Sequence, residues 1–269
     1  MDLSALVITY NEEANIFRTL DSIRWIPYVL VVDSGSTDST VKIASEFSNT
    51  HIVVREFDSF ANQCNFGLES LSSEWVLSLD ADYVVTQRLC REIIKITQSN
   101  ERADLRQIKA YSIRFQYCIN GRPIRSGLLP PRTCLYQRLF ARYIDEGHGH
   151  RICIQGERGD LKGKILHDDR KSVDVWLMNQ KRYQAIEART LFEKQDSQLP
   201  KQDLLRKYTC LAPFAVFAFC YIARGGILDG KEGIIYAFQR FITEALLYLN
   251  IHMRAESKSL QPDPRIANR

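Results

Sequence analysis

The first hundred residues alternate between two hydrophobic periods, and few folds accept such a pattern. Leu3–Thr9, Val29–Val32, Ile52–Val54 and Trp75–Leu79 are short apolar runs built from good strand formers. Each is followed by apolar residues at helical spacing: Ile16, Leu20 and Ile23, then Val41, Ile43, Ala44 and Phe47, then Phe60, Ala61, Phe66 and Leu71, then Leu89, Ile93, Ile94 and Ile96. A strand that is apolar throughout must be covered on both faces, and helices between parallel strands provide that cover. The pattern predicts an α/β fold with a mostly parallel, doubly wound sheet and helices on both faces. Ligands of such sheets bind beyond the carboxyl ends of the strands, and the polar motifs fall at those ends.

The sharpest motif is Val76-Leu77-Ser78-Leu79-Asp80-Ala81-Asp82, an apolar strand ending in two carboxylates one residue apart. Together they suit a hard divalent cation, which takes oxygen ligands and is commonly shared with substrate phosphates. A pair of solvated loop aspartates is the plainer alternative. The second motif, Val31-Val32-Asp33-Ser34-Gly35-Ser36-Thr37-Asp38, ends a strand in a carboxylate before a tight turn. Ser36, Thr37 or Asp38 can cap the next helix, but capping does not require Asp33, which can accept hydrogen bonds from a base or a ribose. The third, Val7-Ile8-Thr9-Tyr10-Asn11-Glu12-Glu13, places Thr9 and Glu12 to contact a nucleoside.

Composition narrows the class. A hydrophobic share of 45% with 25% charged residues excludes wholesale disorder. The net charge of +4 over 269 residues suits anionic nucleotides or an anionic surface and is far from that of a dedicated nucleic-acid binder. Seven cysteines, odd in number and without a CxxC pair, predict reduced thiols rather than a zinc site or disulfide framework, and so a cytoplasmic chain. The N-terminus lacks the basic and apolar regions of a signal peptide. The longest uncharged apolar run, Cys210–Ala223, contains Pro213 and is shorter than the about 20 residues that a span needs.

From Tyr111 the pattern changes. Tyr111, Ile113, Phe115 and Tyr117 alternate before a Gly-Arg-Pro turn, and Leu135–Phe140 and Arg151–Ile154 read as further strands. Gly156–Gly163 reads as a polar loop. Ser172–Gln195 reads as a long helix, burying a face with Val173, Trp176, Leu177, Ile186 and Leu191. Beyond Leu199-Pro200 come two apolar helical stretches joined around Gly225-Gly226 and Gly230.

Taken in order, VITYNEE, VVDSGSTDST, the FANQCNFGLESLSSEWVLSLDAD block and KGKILHDD resemble the family-two glycosyltransferases, above all bacterial enzymes like the lipopolysaccharide core glucosyltransferases. The resemblance runs from Asp2 to about Leu249 and is densest before Tyr83. It implies a GT-A-like fold and an inverting, hexosyl-type transfer from a nucleotide-sugar, most often a UDP-sugar, to an envelope or exopolysaccharide acceptor, glycan or lipid-linked. It also implies a divalent metal, Mg²⁺ or Mn²⁺, as cofactor. Carried over by motif, Thr9, Glu12 and Asp33 hold uracil and ribose, and Gln63 and Asn65 line the donor pocket. Asp80 faces the ribose or the metal, Asp82 is a metal ligand, and His167 lies near metal and diphosphate. The catalytic base falls in Tyr143–His150, where Asp145 and Glu146 are the candidates and Glu146 is favoured. Two positions depart from relatives: Cys64 replaces a basic residue, and Tyr83 stands where glutamate is frequent.

On this reading residues 1–199 form the catalytic domain, with a donor half 1–100 and an acceptor half 101–199. Residues 200–257 form a helical, apolar region and 258–269 a flexible tail. The helical region is expected either to pack on the catalytic domain or form a dimer seam, or to lie on the inner face of the cytoplasmic membrane, anchored by aromatics with Lys201, Arg206, Lys207 and Arg224. Two rival functions remain. A haloacid-dehalogenase-like phosphatase would use Asp80 as nucleophile, but its motif ordinarily sits on the first strand. A catalytically inactive scaffold of the same fold would have no need of Asp33, Asp80 and Asp82.

Overall fold

The computed structural model describes residues 2–98, 107–146 and 149–253, with Glu146 and His150 described as backbone only. His148 and the 258–269 tail lie outside the described residues. By compactness the chain forms two units: residues up to Pro123 with Leu128–Lys171, and Ile124–Gly127 with the chain from Ser172 onward.

In the first unit the apolar runs become β1 (Leu3–Thr9), β2 (Tyr28–Asp33), β3 (Thr50–Val54) and β4 (Trp75–Asp80). Helices α1 (Ile16–Ser22), α2 (Thr40–Ser45) and α3 (Phe60–Glu69) connect them. Successive side chains of one strand enter two different cores, because strand side chains alternate faces. Leu3, Ala5 and Val7 join Val29, Val31, Leu77 and Leu79 beneath α1, α2 and α4 (Gln87–Gln98). Leu6 joins Leu30, Val32 and Val76 on the opposite face, against Ala61, Cys64 and Leu68 of α3. Short of their polar carboxyl ends, β1, β2 and β4 are therefore apolar apart from Ser4 and Ser78, and truncating a fully buried leucine such as Leu77 costs about 2–5 kcal/mol.

The remaining strands are β5 (Tyr83–Val85), β6 (Ile108–Ile119), β7 (Arg122–Pro123), β8 (Arg132–Gln137) and β11 (Glu157–His167), with β9 (Ala141–Glu146) and β10 (Gly149–Ile154) forming a separate hairpin. The main sheet runs β3-β2-β1-β4-β8-β6-β11-β5, with β7 on β6. Parallel pairing holds from β3 to β4 and between β6 and β11, whereas β8 is antiparallel to both its neighbours and β5 is antiparallel to β11. The sheet is thus mixed, parallel where the strand–helix units build it and antiparallel where the connections shorten.

Two sequence expectations are corrected. The strand expected at Leu135–Phe140 starts earlier and ends at Gln137, because Arg138–Phe140 coils into a single tight turn. The supposed polar loop Gly156–Gly163 is most of β11. Its inward positions Leu161, Gly163 and Ile165 alternate with polar outward ones, and Gly163 masks the pattern. Glycine is needed there, since a Cβ would lie 2.4 Å from the Leu89 backbone of α4. Glu92 of the same helix accepts the Lys162 and Gly163 N–H groups, both at 2.9 Å, where the pairing with β6 is irregular.

The second unit is helical: α5 (Val173–Glu193), α6 (Lys201–Tyr208), α7 (Ala212–Ala218), which widens through Phe219–Ala223, and α8 (Gly230–Met253). Ser172 caps α5 by accepting from Val175 N–H. Ala188, Leu191, Leu199, Leu247 and Ile251 form the core of this unit. No single helix among the described residues is long and apolar enough to cross a membrane; α7 with its extension and α8 with the turn before it would do so only as a pair bent by 66°. Two of the expected membrane anchors are engaged within the unit. Arg206 bonds Glu244 at 2.9 Å, Glu187 at 3.2 Å and Asp203 at 3.1 Å, and Lys207 bonds Asp196 at 2.8 Å.

Candidate active site

The sheet register brings the motifs level. Thr9 pairs with Asp33 and Ile8 with Asp80, so β1, β2 and β4 end side by side with their polar residues at one edge. Thr9 is buried, and its Oγ1 has no hydrogen-bond partner. A buried, unsatisfied hydroxyl is uncommon and marks a place where a ligand can bind.

Asp33 is 1% exposed, and its own turn uses it: Oδ2 accepts from Gly35 N at 2.9 Å and Ser36 N at 2.8 Å, and Ser36 Oγ bonds Oδ1. Asn11 Oδ1 accepts from Thr37 N at 2.8 Å, and Asn11 N donates to Ser36 Oγ at 2.9 Å, tying the first loop to the second. Asn11 holds a positive φ of 52°, which asparagine tolerates better than most residues. Gln63 is buried under the same turn. Its Nε2 donates to Ser34 Oγ and to the Arg55 carbonyl, both at 3.0 Å, while its Oε1 accepts from Arg55 Nη1 at 3.1 Å.

One expected pocket residue, Asn65, and one candidate base, Asp145, are engaged with backbone. Asn65 Nδ2 donates to the Tyr143 carbonyl and its Oδ1 accepts from Tyr143 N, both at 2.9 Å. Asp145 Oδ1 accepts from Ala61 N at 3.2 Å in the first turn of α3. Cys64 is on the inward face of α3, and burial pushes its thiol far above the ordinary range. Tyr83 is buried, and its hydroxyl accepts from Arg132 Nη1 at 3.1 Å.

The strongest convergence is around Asp82. Its Oδ2 lies 2.8 Å from His167 Nε2, because Tyr83 pairs with His167 where β5 meets the end of β11. The Tyr83 and Tyr117 rings stand edge-on to the imidazole at 5.4 and 5.0 Å and fix its plane. Burial disfavours both charges. Attraction nevertheless wins: His167, its hydrogen bond and Lys171 hold the Asp82 carboxyl below its ordinary value, and Asp82 with Asp80 and Asp169 raise the imidazole above 6.5. His167 Nδ1 is buried and without a partner.

Beside this pair lies a clasp that the sequence reading did not single out. Lys171 forms an ion pair with Glu12 Oε1, and Asn15 Nδ2 bridges Glu12 Oε2 at 2.8 Å and Asp169 Oδ1 at 2.9 Å. Arg18 Nη2 reaches the Asp168 carbonyl at 2.7 Å, and Asp168 accepts from Gly121 N at 3.0 Å. Burial and then the Asp82 charge raise Glu12 to about 7, against the opposing pull of Lys171. The charges of the His-Asp-Asp-Arg-Lys run could have signalled the clasp, but their partners lie some 150 residues away in the sequence. Among the described residues no three His, Cys, Asp or Glu side chains form a metal cluster. The arrangement offers one carboxylate–imidazole pair, a second carboxylate at Asp80 and an unsatisfied hydroxyl at Thr9.

The family model for glycosyl transferase family 2 matches residues 4–152, which holds all of these strand ends except that of β11. The chain belongs to that family. An uncharacterized glycosyltransferase of Rickettsia prowazekii is 29% identical over 258 residues, covering 91% of this chain and 86% of that protein. The lipopolysaccharide core biosynthesis glycosyltransferase LpsC of Rhizobium meliloti is 25% identical over 271 residues, covering 95% of each. Among solved structures, a mannosyltransferase from Pyrobaculum calidifontis, in complex with GDP-Man and Mn²⁺, superposes with a TM-score of 0.50 at 15% identity, covering 94% of this chain and 88% of that one. That likeness bears on the fold: this family-2 chain is an α/β, GT-A-like glycosyltransferase.

Proposed function

We propose that the protein transfers a hexose from a UDP-sugar, with inversion and with the help of Mg²⁺ or Mn²⁺, to an envelope glycan or lipid-linked acceptor at the cytoplasmic face of the membrane. The observation that carries the reading is the Asp82–His167 pair at 2.8 Å, set at the carboxyl ends of the strands. A carboxylate and an imidazole held this close, with Asp80 nearby, are oxygen and nitrogen donors that would hold a divalent ion beside the donor diphosphate. The ion would supply positive charge for the leaving nucleotide.

The chain's own residues do the rest. Thr9 Oγ1 and the Asp33 turn receive the nucleoside, and Asp80 faces the ribose or the ion. Gln63 acts by holding Ser34 and Arg55 in place. Glu146 takes the proton from the acceptor hydroxyl as that oxygen attacks the anomeric carbon in line. Asp145, whose carboxylate already caps α3, is the weaker candidate for this task. The extent of the likeness to LpsC supports an envelope acceptor.

Calorimetry of UDP binding, with and without Mn²⁺, on wild type and Asp82→Asn tests the donor site. Metal-dependent binding that disappears in the variant is expected. A wild type that binds UDP in neither condition overturns the reading, and the Asp80 phosphatase rival then becomes the one to assay.

A further inference from the structure

The helical unit has a feature that sugar transfer does not require. From Thr209 to Ala223 no side chain is charged, yet the segment is not simply buried. Ala212, Pro213 and Cys220 face inward, and Phe217 packs on Phe238 of α8 with ring centres 5.1 Å apart. Leu211, Phe214, Ala215, Ala218, Phe219 and Ile222 are exposed. Their spacing of three and four residues aligns them in one stripe along the helix.

The chain then turns at Gly225, with φ +75°, and presents Ile227 and Leu228 at 58% and 69% exposure, comparable to Ile222 at 69%. The elbow packs closely against the first turns of α8. A Cβ on Gly233 of α8 would lie 1.9 Å from the Gly226 carbonyl oxygen, so only glycine permits this contact. A contiguous apolar surface of this kind marks an interaction site.

The charges around the elbow indicate its occupant. Arg224 is exposed and bonds the Gly127 carbonyl at 3.0 Å, the Arg125 side chain is 68% exposed with its Nε 3.9 Å from Asp229 Oδ1, at the outer limit of an ion pair, and Lys231 is exposed. Asp229, the acid at the elbow, turns inward and accepts from Arg125 N at 2.8 Å and Ser126 N at 3.2 Å. A self-complementary pairing of two copies would set these cations against one another, whereas anionic headgroups would neutralise them.

We infer that the elbow from Leu211 to Leu228 inserts into an anionic lipid surface. The stripe and tip enter the boundary between headgroups and acyl chains, and Arg125 and Arg224 meet the lipid phosphates. The inference rests on the proposal that the protein works at a membrane and is independent of the donor chemistry. It keeps Arg224 among the expected anchors, sets aside Arg206 and Lys207, which are held in ion pairs of 2.8–3.2 Å within their own unit, and adds Arg125, whose contact with Asp229 is looser at 3.9 Å.

Flotation of the full chain with phosphatidylcholine vesicles, with and without phosphatidylglycerol, tests it in the absence of nucleotide. Wild type should float with the anionic vesicles. The triple variant I222S/I227S/L228S should bind them roughly ten-fold or more weakly, and R125Q/R224Q should lose the preference for anionic lipid and the sensitivity to salt. A triple variant that floats like wild type overturns the inference, as does a wild type that binds neither vesicle. A wild-type dimer by light scattering that the triple variant converts to monomer also overturns it, by assigning the stripe to a second copy. UDP calorimetry on the same samples separates the two readings: retained binding in the triple variant shows an intact first unit, and absent binding in wild type would sink the transferase reading without touching the vesicle result. The single variant Ile227→Asp, at an exposed tip position, repeats the test should the triple variant lose its helical circular dichroism.

Discussion

Replacing Asn65 by alanine should damage the fold before it damages donor binding. The side-chain amide acts as a short piece of β-strand: it occupies both the N–H and the C=O of Tyr143, the pair on the side of β9 away from β10. Tyr143 is buried, so these groups would have little access to replacement water. Leaving a buried polar group unpaired costs about 1–3 kcal/mol. Two such groups, partly rescued by relaxation, make about 2–4 kcal/mol. For a domain of about 150–250 residues this corresponds to a fall in Tm of roughly 6–12 °C. Asn65→Asp keeps the acceptor for Tyr143 N–H and loses the donor to its carbonyl, and should fall between the two. Scanning calorimetry reads the shift, and UDP titration well below the transition reads the site. A Tm within about a degree of wild type, combined with lost UDP binding, would refute the argument and return Asn65 to the donor pocket.

Three further outcomes follow from the geometry. Glu146→Gln should lower turnover about 10²–10⁴-fold while leaving UDP binding intact, whereas Asp145→Asn should mainly lower Tm through its weakened contact with α3; the reverse result would make Asp145 the base. Glu12 is raised from 4.5 to about 7 in the folded chain, so the fold binds its proton more tightly than the unfolded chain does. The resulting stabilisation is complete below about pH 4.5 and is lost as the pH rises through 7; Glu12→Gln should therefore gain Tm relative to wild type across that window, and a constant difference would refute the shift. Finally, burial raises the Cys118 and Cys134 thiols to about 12, while Cys210 is exposed, so mass spectrometry after brief iodoacetamide treatment of the native chain should find Cys210 labelled well ahead of those two.

The donor half of the first unit was legible because its signals are local. Each apolar run and the helical pattern after it are neighbours in the sequence, and the two-sided burial of β1, β2 and β4 leaves only Ser4 and Ser78 as polar positions within the runs. The Asp82–His167 partnership was legible only through the family resemblance, since no spacing rule joins the turn after β4 to the end of β11. β11 was misread because Gly163 stands where an inward apolar residue would have completed the alternation. The Glu12–Lys171 clasp and the Asn65–Tyr143 pairing were missed for a different reason: each joins residues whose type is equally at home on a surface. At Asn65 the assignment to the pocket came from a motif, while the hydrogen bonds lie with the backbone of β9.

The order of the sheet has a geometric consequence at the acidic motif. β4 and β5 stand four places apart, with β8, β6 and β11 between them. At about 4.8 Å per strand, a flat sheet would separate them by roughly 19 Å. Yet Asp80 and Tyr83 are three peptide units apart in the chain, which reach about 11 Å at most. The sheet must therefore bow, and the segment Asp80-Ala81-Asp82-Tyr83 is the string across that bow. Its shortness draws the far edge round until His167 meets Asp82. The spacing of the acidic motif is thus a mechanical dimension of the fold as well as a chemical one: an extra residue in the string would slacken the arc and separate carboxylate from imidazole with every functional side chain still present.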